Sequence, residues 1–209
     1  SARVAGLYER AELLRRGIDF DKAAAVYEQI VSLAPNDAEA YWSLVLCRYG
    51  IEYVEDPASH KRVPTINRVQ FGSILEDTDY LSALQNADDE QKSVYIAEAK
   101  AIEAIQKGYL AISERENPFD VFICYKETDN NGKRTMDSVL ANDLYHQLTQ
   151  ERLKVFFSRI TLEDKLGTEY EPYIFAALNS AKVMVVLGTR PEYFSAVWVR
   201  NEWSRFLAL

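Results

Sequence analysis

The sequence predicts a two-part chain, an all-α segment followed by an α/β domain with a parallel sheet. Two observations lead to this prediction. Apolar residues recur at three- and four-residue steps up to about residue 116, whereas short apolar runs alternate with helical patterns beyond it. Asn117-Pro118 lies at the change, and the residue before a proline avoids the helical conformation. We therefore expect a helical domain over residues 1–117 and an α/β domain over residues 118–209.

Composition and charge exclude several classes of function. The 209 residues are 48% hydrophobic and 27% charged, which is typical of globular proteins, and apolar runs such as Val183 to Leu187 are too short to span a bilayer. The net charge of −8 comes almost entirely from residues 1–116, so neither part has the basic excess that a nucleic-acid partner requires. Two cysteines and two histidines predict neither a disulfide framework nor a metal site. We expect a cytoplasmic protein with no membrane or nucleic-acid partner.

Residues 1–48 carry three predicted amphipathic helices. The first ends at Gly17, the second is stopped by Pro35, and Asp37 can cap the third. Two short helices joined at a glycine, with a proline after the second, are typical of one unit of a helical repeat. The stretch resembles a single tetratricopeptide repeat, with matching residues at Tyr8, Ala11, Gly17, Phe20, Ala23, Tyr27 and Pro35. One repeat cannot bury its own apolar face, so we expect the helical region to pack on another segment or on a protein partner.

A small β-hairpin is predicted near residues 50–67, inserted among the helices. Residues 50–54 alternate with a period of two, and a second apolar run at residues 63–66 follows a turn-forming stretch. The next long helix is expected over residues 88–114, and its continuous apolar stripe is typical of core packing.

Three short apolar runs predict the strands of the α/β part. They cover residues 120–125, 154–157 and 182–187, and each is followed by a helical pattern. Strands that are apolar on both faces are typical of a parallel sheet with helices on each side. We therefore expect all three strands to be buried.

Capping signals predict where the helices between these strands begin. Asp137 can cap the first helix, whose apolar face is predicted at Leu140, Leu144 and Leu148. Thr168 can cap the second helix, and Glu171, three residues later, fits the partner position of a capping box. A last helix is expected from about Ser195.

Polar residues converge where the predicted strands end. Ligands of open parallel sheets bind beyond the carboxyl ends of the strands. The residues at those ends suit a polar, aromatic, phosphate-bearing ligand, and they include Tyr125, Lys126, Ser158, Arg159 and a loop reaching Gly167. The alternative is that Tyr125 belongs to the core and that Lys126 and Arg159 are merely solvated. The glycine-rich phosphate loops of nucleotide-binding proteins and the Gly-x-Ser-x-Gly elbow are absent.

The second part of the chain resembles the Toll/interleukin-1 receptor (TIR) domain family. Phe119 to Lys126 looks like the first box of that domain, Val155 to Gly167 like its second strand and BB loop, and Trp198 to Trp203 like its third box. Tyr170-Glu171-Pro172 is similar to bacterial members. The resemblance implies a flavodoxin-like α/β fold over residues 118–209. It also implies that two more strands and a helix would follow Leu209, so the domain is expected to be incomplete at its C-terminus.

The resemblance also implies an activity. Many TIR domains hydrolyse the bond between nicotinamide and ribose in NAD, which would be a substrate here, with no cofactor. The family's key acid is the glutamate of a Trp-x-x-x-Glu run, which corresponds to Glu202 with Trp198 one turn earlier. Family positions that line the nucleotide site match Tyr125, Lys126, Ser158 and Gly167, although an aspartate is common where this chain has Ser158. Self-association through the TIR domain is expected to complete the site.

A non-catalytic interaction module is the second hypothesis. In that case the BB loop, from Arg159 to Gly167, would serve as a scaffold contact and the repeat-like helices would dock another protein. Glu202 would then be an exposed helical glutamate paired with Arg205 three residues later. The capping position of Glu171 accounts for that acid without catalysis.

Overall fold

The computed structural model of the chain describes residues 2–56, 59–163 and 170–209. The chain divides into two units, Ser1–Ala111 and Ile112–Leu209. The fold is mixed α/β, with a two-stranded antiparallel sheet in the first unit and a three-stranded parallel sheet in the second. Within the described ranges, no helix is both long enough and apolar enough to cross a membrane.

The first unit is mainly helical. Its helices are α1 (Ala2–Arg16), α2 (Phe20–Leu33), α3 (Ala38–Arg48), α4 (Thr78–Asn86) and α5 (Asp89–Ser113) up to Ala111. The apolar faces of α1, α2 and α3 meet in one core, in which Phe20, Tyr27 and Ile30 are fully buried. The Asp37 carboxylate accepts a hydrogen bond from the Ala40 backbone N–H at 3.1 Å, so this residue caps α3 as its sequence position predicts.

The predicted hairpin is present between α3 and α4. Strands β1 (Ile51–Glu55) and β2 (Arg62–Ile66) pair antiparallel, with Ile51 opposite Ile66. Gly50 precedes β1 with φ = 58°, and a Cβ there would lie 2.7 Å from Arg68 Cγ. Glycine is therefore required at this position by both backbone conformation and space.

The second unit is built on a parallel sheet with the order β4-β3-β5. Its strands are β3 (Val121–Cys124), β4 (Val155–Phe157) and β5 (Val183–Val186). One face of the sheet packs against α6 (Met136–Gln150), and the other packs against α8 (Glu171–Ser180) and α10 (Val197–Leu207). Two shorter helices, α7 (Ser158–Thr161) and α9 (Pro191–Phe194), follow β4 and β5. The central strand β3 is therefore buried on both faces, as its apolar sequence predicts.

The prediction that all three strands are buried is wrong for β5. This strand lies at an edge of the described sheet, and Val183 is 52% exposed. An apolar run alone does not distinguish a central strand from an edge strand, because both must contribute side chains to the core. The remaining β5 residues are half-buried.

The start and the buried face of α6 also differ from the sequence prediction. Thr135, rather than Asp137, is the N-cap, and its hydroxyl accepts a hydrogen bond from the Ser138 backbone N–H at 3.1 Å. Leu140 is exposed, because the face that meets the sheet carries Ala141, Leu144 and Leu148. The predicted cap of the next helix, Thr168, lies outside the described residues, and α8 begins at Glu171.

Candidate functional site

A cavity of about 760 Å³ lies in the second unit, beyond the carboxyl ends of β3 and β4. Three segments line it: residues 125–131 after β3, Ser158 at the start of α7, and residues of α9 and α10 between 190 and 202. The volume is within the usual range for sites that bind small molecules. The position matches the rule that ligands of parallel sheets bind at this edge.

Glu202 is placed on the cavity wall by α10. Its side chain is only 6% exposed, and its Oε1 accepts a hydrogen bond from Trp198 Nε1 at 2.8 Å. The two residues are four positions apart, which puts them on the same face of the helix. Trp198 itself is 42% exposed, so the indole contacts the carboxyl group with its N–H and still presents ring surface to the cavity.

Burial changes the acidity of this carboxyl group. Loss of solvation raises the pKa of Glu202 to about 7, because the charged form is disfavoured away from water. Hydrogen bonding by Cys124 and Trp198 and the positive charge of Arg205 act in the opposite direction on this pKa. The group can therefore change its charge near neutral pH, which is a property common to acids in functional sites.

The prediction that Glu202 could be an exposed partner of Arg205 is wrong. Arg205 pairs with Glu171 instead, with 2.6 Å between Nη2 and Oε1, and both side chains are largely buried. This ion pair joins α10 to α8. Glu171 therefore has a long-range role that a capping position does not reveal, since its partner lies 34 residues further along the chain.

Tyr125 serves both the core and the cavity. Its ring packs on Phe157 with 5.2 Å between centroids, while its hydroxyl donates to Glu127 Oε2 at 2.6 Å. The same hydroxyl is 3.2 Å from Ser158 Oγ. Burial, together with the neighbouring Glu127 carboxylate, raises the pKa of Tyr125 above its usual range, so the phenol remains a neutral donor.

Glu127 is held by further contacts on its other side. Its Oε1 accepts from Ser138 Oγ at 3.1 Å and lies 3.7 Å from Arg134 Nε. The carboxylate therefore connects the end of β3 to the first turn of α6. The hydroxyl of Ser158 lies beside this Tyr125–Glu127 pair.

The two predicted cations differ in position. Lys126 lines the cavity, whereas Arg159 is exposed and is not among the described lining residues. The side chain of Arg159 does not reach the cavity, but its backbone N–H interacts with the Tyr125 hydroxyl. This interaction counteracts part of the rise in the pKa of Tyr125. Gly167, the remaining predicted site residue, lies outside the described residues.

Several polar lining residues are absent from the predicted site, among them Glu127, Arg190 and Tyr193. Glu127 directly follows Lys126 at the end of β3. Arg190 lies just beyond the Gly188-Thr189 end of β5, and Tyr193 is one turn further on. The strand-end signal could have identified Arg190, but nothing in the local pattern indicates that Tyr193 faces the cavity.

The described residues contain no group of three or more His, Cys, Asp and Glu side chains able to hold a metal ion. Comparison with protein-family models, curated proteins and solved structures finds no match to this chain. Function is therefore inferred from the residues and geometry of the cavity.

Proposed function

We propose that residues 118–209 form a TIR-type domain whose cavity hydrolyses the bond between nicotinamide and ribose in NAD. Glu202 would be the catalytic residue. The observation that carries the proposal is the buried Glu202 carboxyl group, hydrogen-bonded to Trp198 on the wall of a cavity at the carboxyl edge of a parallel sheet. The resemblance of the Trp198-to-Glu202 run to the TIR family supports the same residue.

The reaction needs stabilisation of positive charge more than proton transfer. When the bond between ribose C1′ and the nicotinamide nitrogen breaks, the electron pair leaves with the ring, which becomes a neutral pyridine. Positive charge then develops on the ribose, and a water molecule adds to C1′ and loses a proton. A fixed carboxylate beside the ribose would stabilise this oxocarbenium-like state, as one does in glycoside hydrolysis.

The acidity of Glu202 suits a cationic substrate. With a pKa of about 7, the free carboxyl group populates both charge states near neutral pH. A bound pyridinium ring would favour the carboxylate form, because a nearby positive charge lowers the pKa of an acid. Desolvation would also strengthen the attraction between the carboxylate and the developing charge.

Other cavity residues would hold the remainder of the dinucleotide. The exposed face of Trp198 can stack on a positively charged aromatic ring. Lys126 and Arg190, both on the cavity wall, can pair with the pyrophosphate. Tyr125 and Ser158 present hydroxyl groups for sugar or base contacts.

A non-catalytic interaction module is the second candidate. The observation in its favour is a run of exposed apolar side chains on one face of α6, formed by Met136, Val139 and Leu140. Contiguous exposed apolar residues often mark protein contacts. Self-association through such a surface is compatible with either candidate.

Release of nicotinamide from NAD tests the proposal. We expect the chain, assayed dilute and clustered on a surface, to consume NAD, and Glu202→Gln to reduce kcat by about 100-fold or more. Asp143→Asn, an exposed acid on α6 outside the cavity, is the matched control and should retain activity. If the wild-type chain leaves NAD intact under both conditions, the enzyme proposal fails. Equal consumption by the wild type and Glu202→Gln would show that Glu202 is not the catalytic residue.

A further inference from the structure

A buried carboxylate in the first turn of α6 is not used by the proposed reaction. Asp137 is fully buried, and its Oδ1 accepts a hydrogen bond from the backbone N–H of Thr189 at 2.9 Å. Its Oδ2 is also buried and has no hydrogen-bond partner among the described residues. A negative charge is favourable in the first turn of a helix, which offsets part of the cost of burying this group.

Asp137 is not required to cap its own helix. Thr135 already serves as the N-cap of α6, with its hydroxyl accepting from the Ser138 backbone N–H. The one hydrogen bond that the Asp137 side chain makes with the described residues runs to a loop 52 positions away. The contact therefore ties α6 to the segment that follows β5.

That segment forms part of the cavity wall. Thr189 directly precedes Arg190 and α9, and both Arg190 and Tyr193 line the cavity. The Gly188 backbone also approaches Phe194 closely, because a Cβ on Gly188 would lie 2.8 Å from Phe194 Cβ. The loop is thus held by the Asp137 hydrogen bond at Thr189 and packs closely at one point, where Gly188 meets Phe194.

We propose that Asp137 is a positioning residue for the ligand site: its carboxylate holds the Thr189 backbone and so fixes where Arg190 meets the ligand. Asp137 is not among the described residues that line the cavity, so it acts through the loop and not by touching the ligand. The kinetic consequence rests on the proposed function, since it requires that Arg190 contact NAD. The geometric consequence, a fixed position of the Thr189 backbone, does not depend on the proposed function.

Hydrogen exchange of the Thr189 amide tests the geometric step directly. Asp137→Ala is expected to accelerate exchange at Thr189 by about tenfold or more, because a hydrogen bond to a charged acceptor is lost. Asp137→Asn retains an oxygen that can accept the same hydrogen bond, so its exchange rate at Thr189 should remain closer to that of the wild type. If the alanine variant does not fold, Asp137→Ser replaces it, because serine keeps a polar first-turn side chain that is too short to reach Thr189.

Thr135→Ala provides the matched control for exchange. It weakens the start of the same helix by removing the N-cap but leaves the Asp137–Thr189 contact in place. We expect this variant to leave Thr189 exchange near the wild-type rate. Unchanged exchange in Asp137→Ala, or an equal acceleration in Thr135→Ala, would overturn the proposal.

Steady-state kinetics with NAD test the link to Arg190. Asp137→Ala and Arg190→Ala should each raise KM several-fold with little change in kcat, and the double variant should be no worse than Arg190→Ala alone. Fully additive effects would show that Asp137 does not act through Arg190. If the wild-type chain does not consume NAD, the proposed function fails, while the exchange comparison still decides whether Asp137 positions the loop.

Discussion

Trp198 Nε1 donates a 2.8 Å hydrogen bond to Glu202 Oε1, one turn further along α10. The bond joins an amphipathic ring on the cavity wall to a buried carboxyl group. It stabilises the charged form of that carboxyl group, because an N–H donor interacts more strongly with a carboxylate than with a neutral acid.

Removing the indole N–H should change the pH dependence of the proposed NAD hydrolysis. In Trp198→Phe the pKa of Glu202 is expected to rise above its value of about 7, because one of the groups that lower it is lost. If the carboxylate is the active form, activity increases with pH through this pKa, so the variant should lose more activity at pH 6 than at pH 8. Measuring kcat/KM for NAD across this range tests the prediction. An equal loss at both pH values would contradict it.

Glu202 should make stability fall as pH rises. Its folded-state pKa of about 7 lies above the ordinary value of 4.5, so between these values the folded chain binds more protons than the unfolded chain. The neutral acid is therefore compatible with burial at pH 5, whereas the charged form is costly at pH 8. Glu202→Gln should raise the free energy of unfolding by on the order of 3 kcal/mol at pH 8 and by less than about 1 kcal/mol at pH 5.

Thermal unfolding of the wild type and Glu202→Gln at the two pH values provides the measurement. Asp143→Asn is a suitable control, because it removes the same charge from an exposed position and leaves the buried carboxyl group of Glu202 in place. A difference between the wild type and Glu202→Gln that does not depend on pH would show that the Glu202 carboxyl titrates outside this window.

The Glu171–Arg205 ion pair should be costly to break from one side. Arg205→Met leaves a buried carboxylate without its main partner, and we expect a loss of about 3 kcal/mol in the free energy of unfolding. The double variant Glu171→Leu/Arg205→Met removes both charges and should recover much of the loss, since apolar pairs often replace buried ion pairs at little cost. The test is urea unfolding of the wild type, the single variant and the double variant. A double variant that is less stable than Arg205→Met would contradict the prediction.

Gly188 should not tolerate a side chain. A Cβ at this position would lie 2.8 Å from Phe194 Cβ and 3.4 Å from Phe194 Cα, so the α9 backbone would have to move. Gly188→Ala is expected to cost about 1–3 kcal/mol through overpacking. The control is Gly108→Ala on α5, where a Cβ meets nothing within 4 Å and alanine should stabilise the helix by about 1 kcal/mol. Thermal unfolding of both variants distinguishes the two effects, and a neutral Gly188→Ala would show that α9 can shift away.

Local sequence patterns predicted the hairpin and the helix cap, which are formed by residues close together in the chain. The hairpin formed by β1 and β2 follows from its alternation of apolar residues, and the cap at Asp37 follows from its place before an amphipathic run. Errors occurred where two local solutions compete. Thr135 and Asp137 are both residue types that cap helices, and only the position at which the helix begins decides which of them caps α6.

Local sequence patterns specify the order of the main helices and strands but not the short helices α7 and α9. They also specify the polar strand ends after β3 and β4 and the helical spacing that puts Trp198 and Glu202 on one face. Three further relationships arise only when the chain packs, because no periodicity in the sequence encodes them. Glu202 is buried near Cys124 on β3, Arg205 pairs with Glu171 from another helix, and Asp137 holds the Thr189 backbone. These contacts join residues that are 34 to 78 positions apart in the chain. They form because burying the apolar faces of α6, α8 and α10 on one sheet brings these side chains together, and the resulting loss of solvent, rather than residue type, sets the acidity of Glu202.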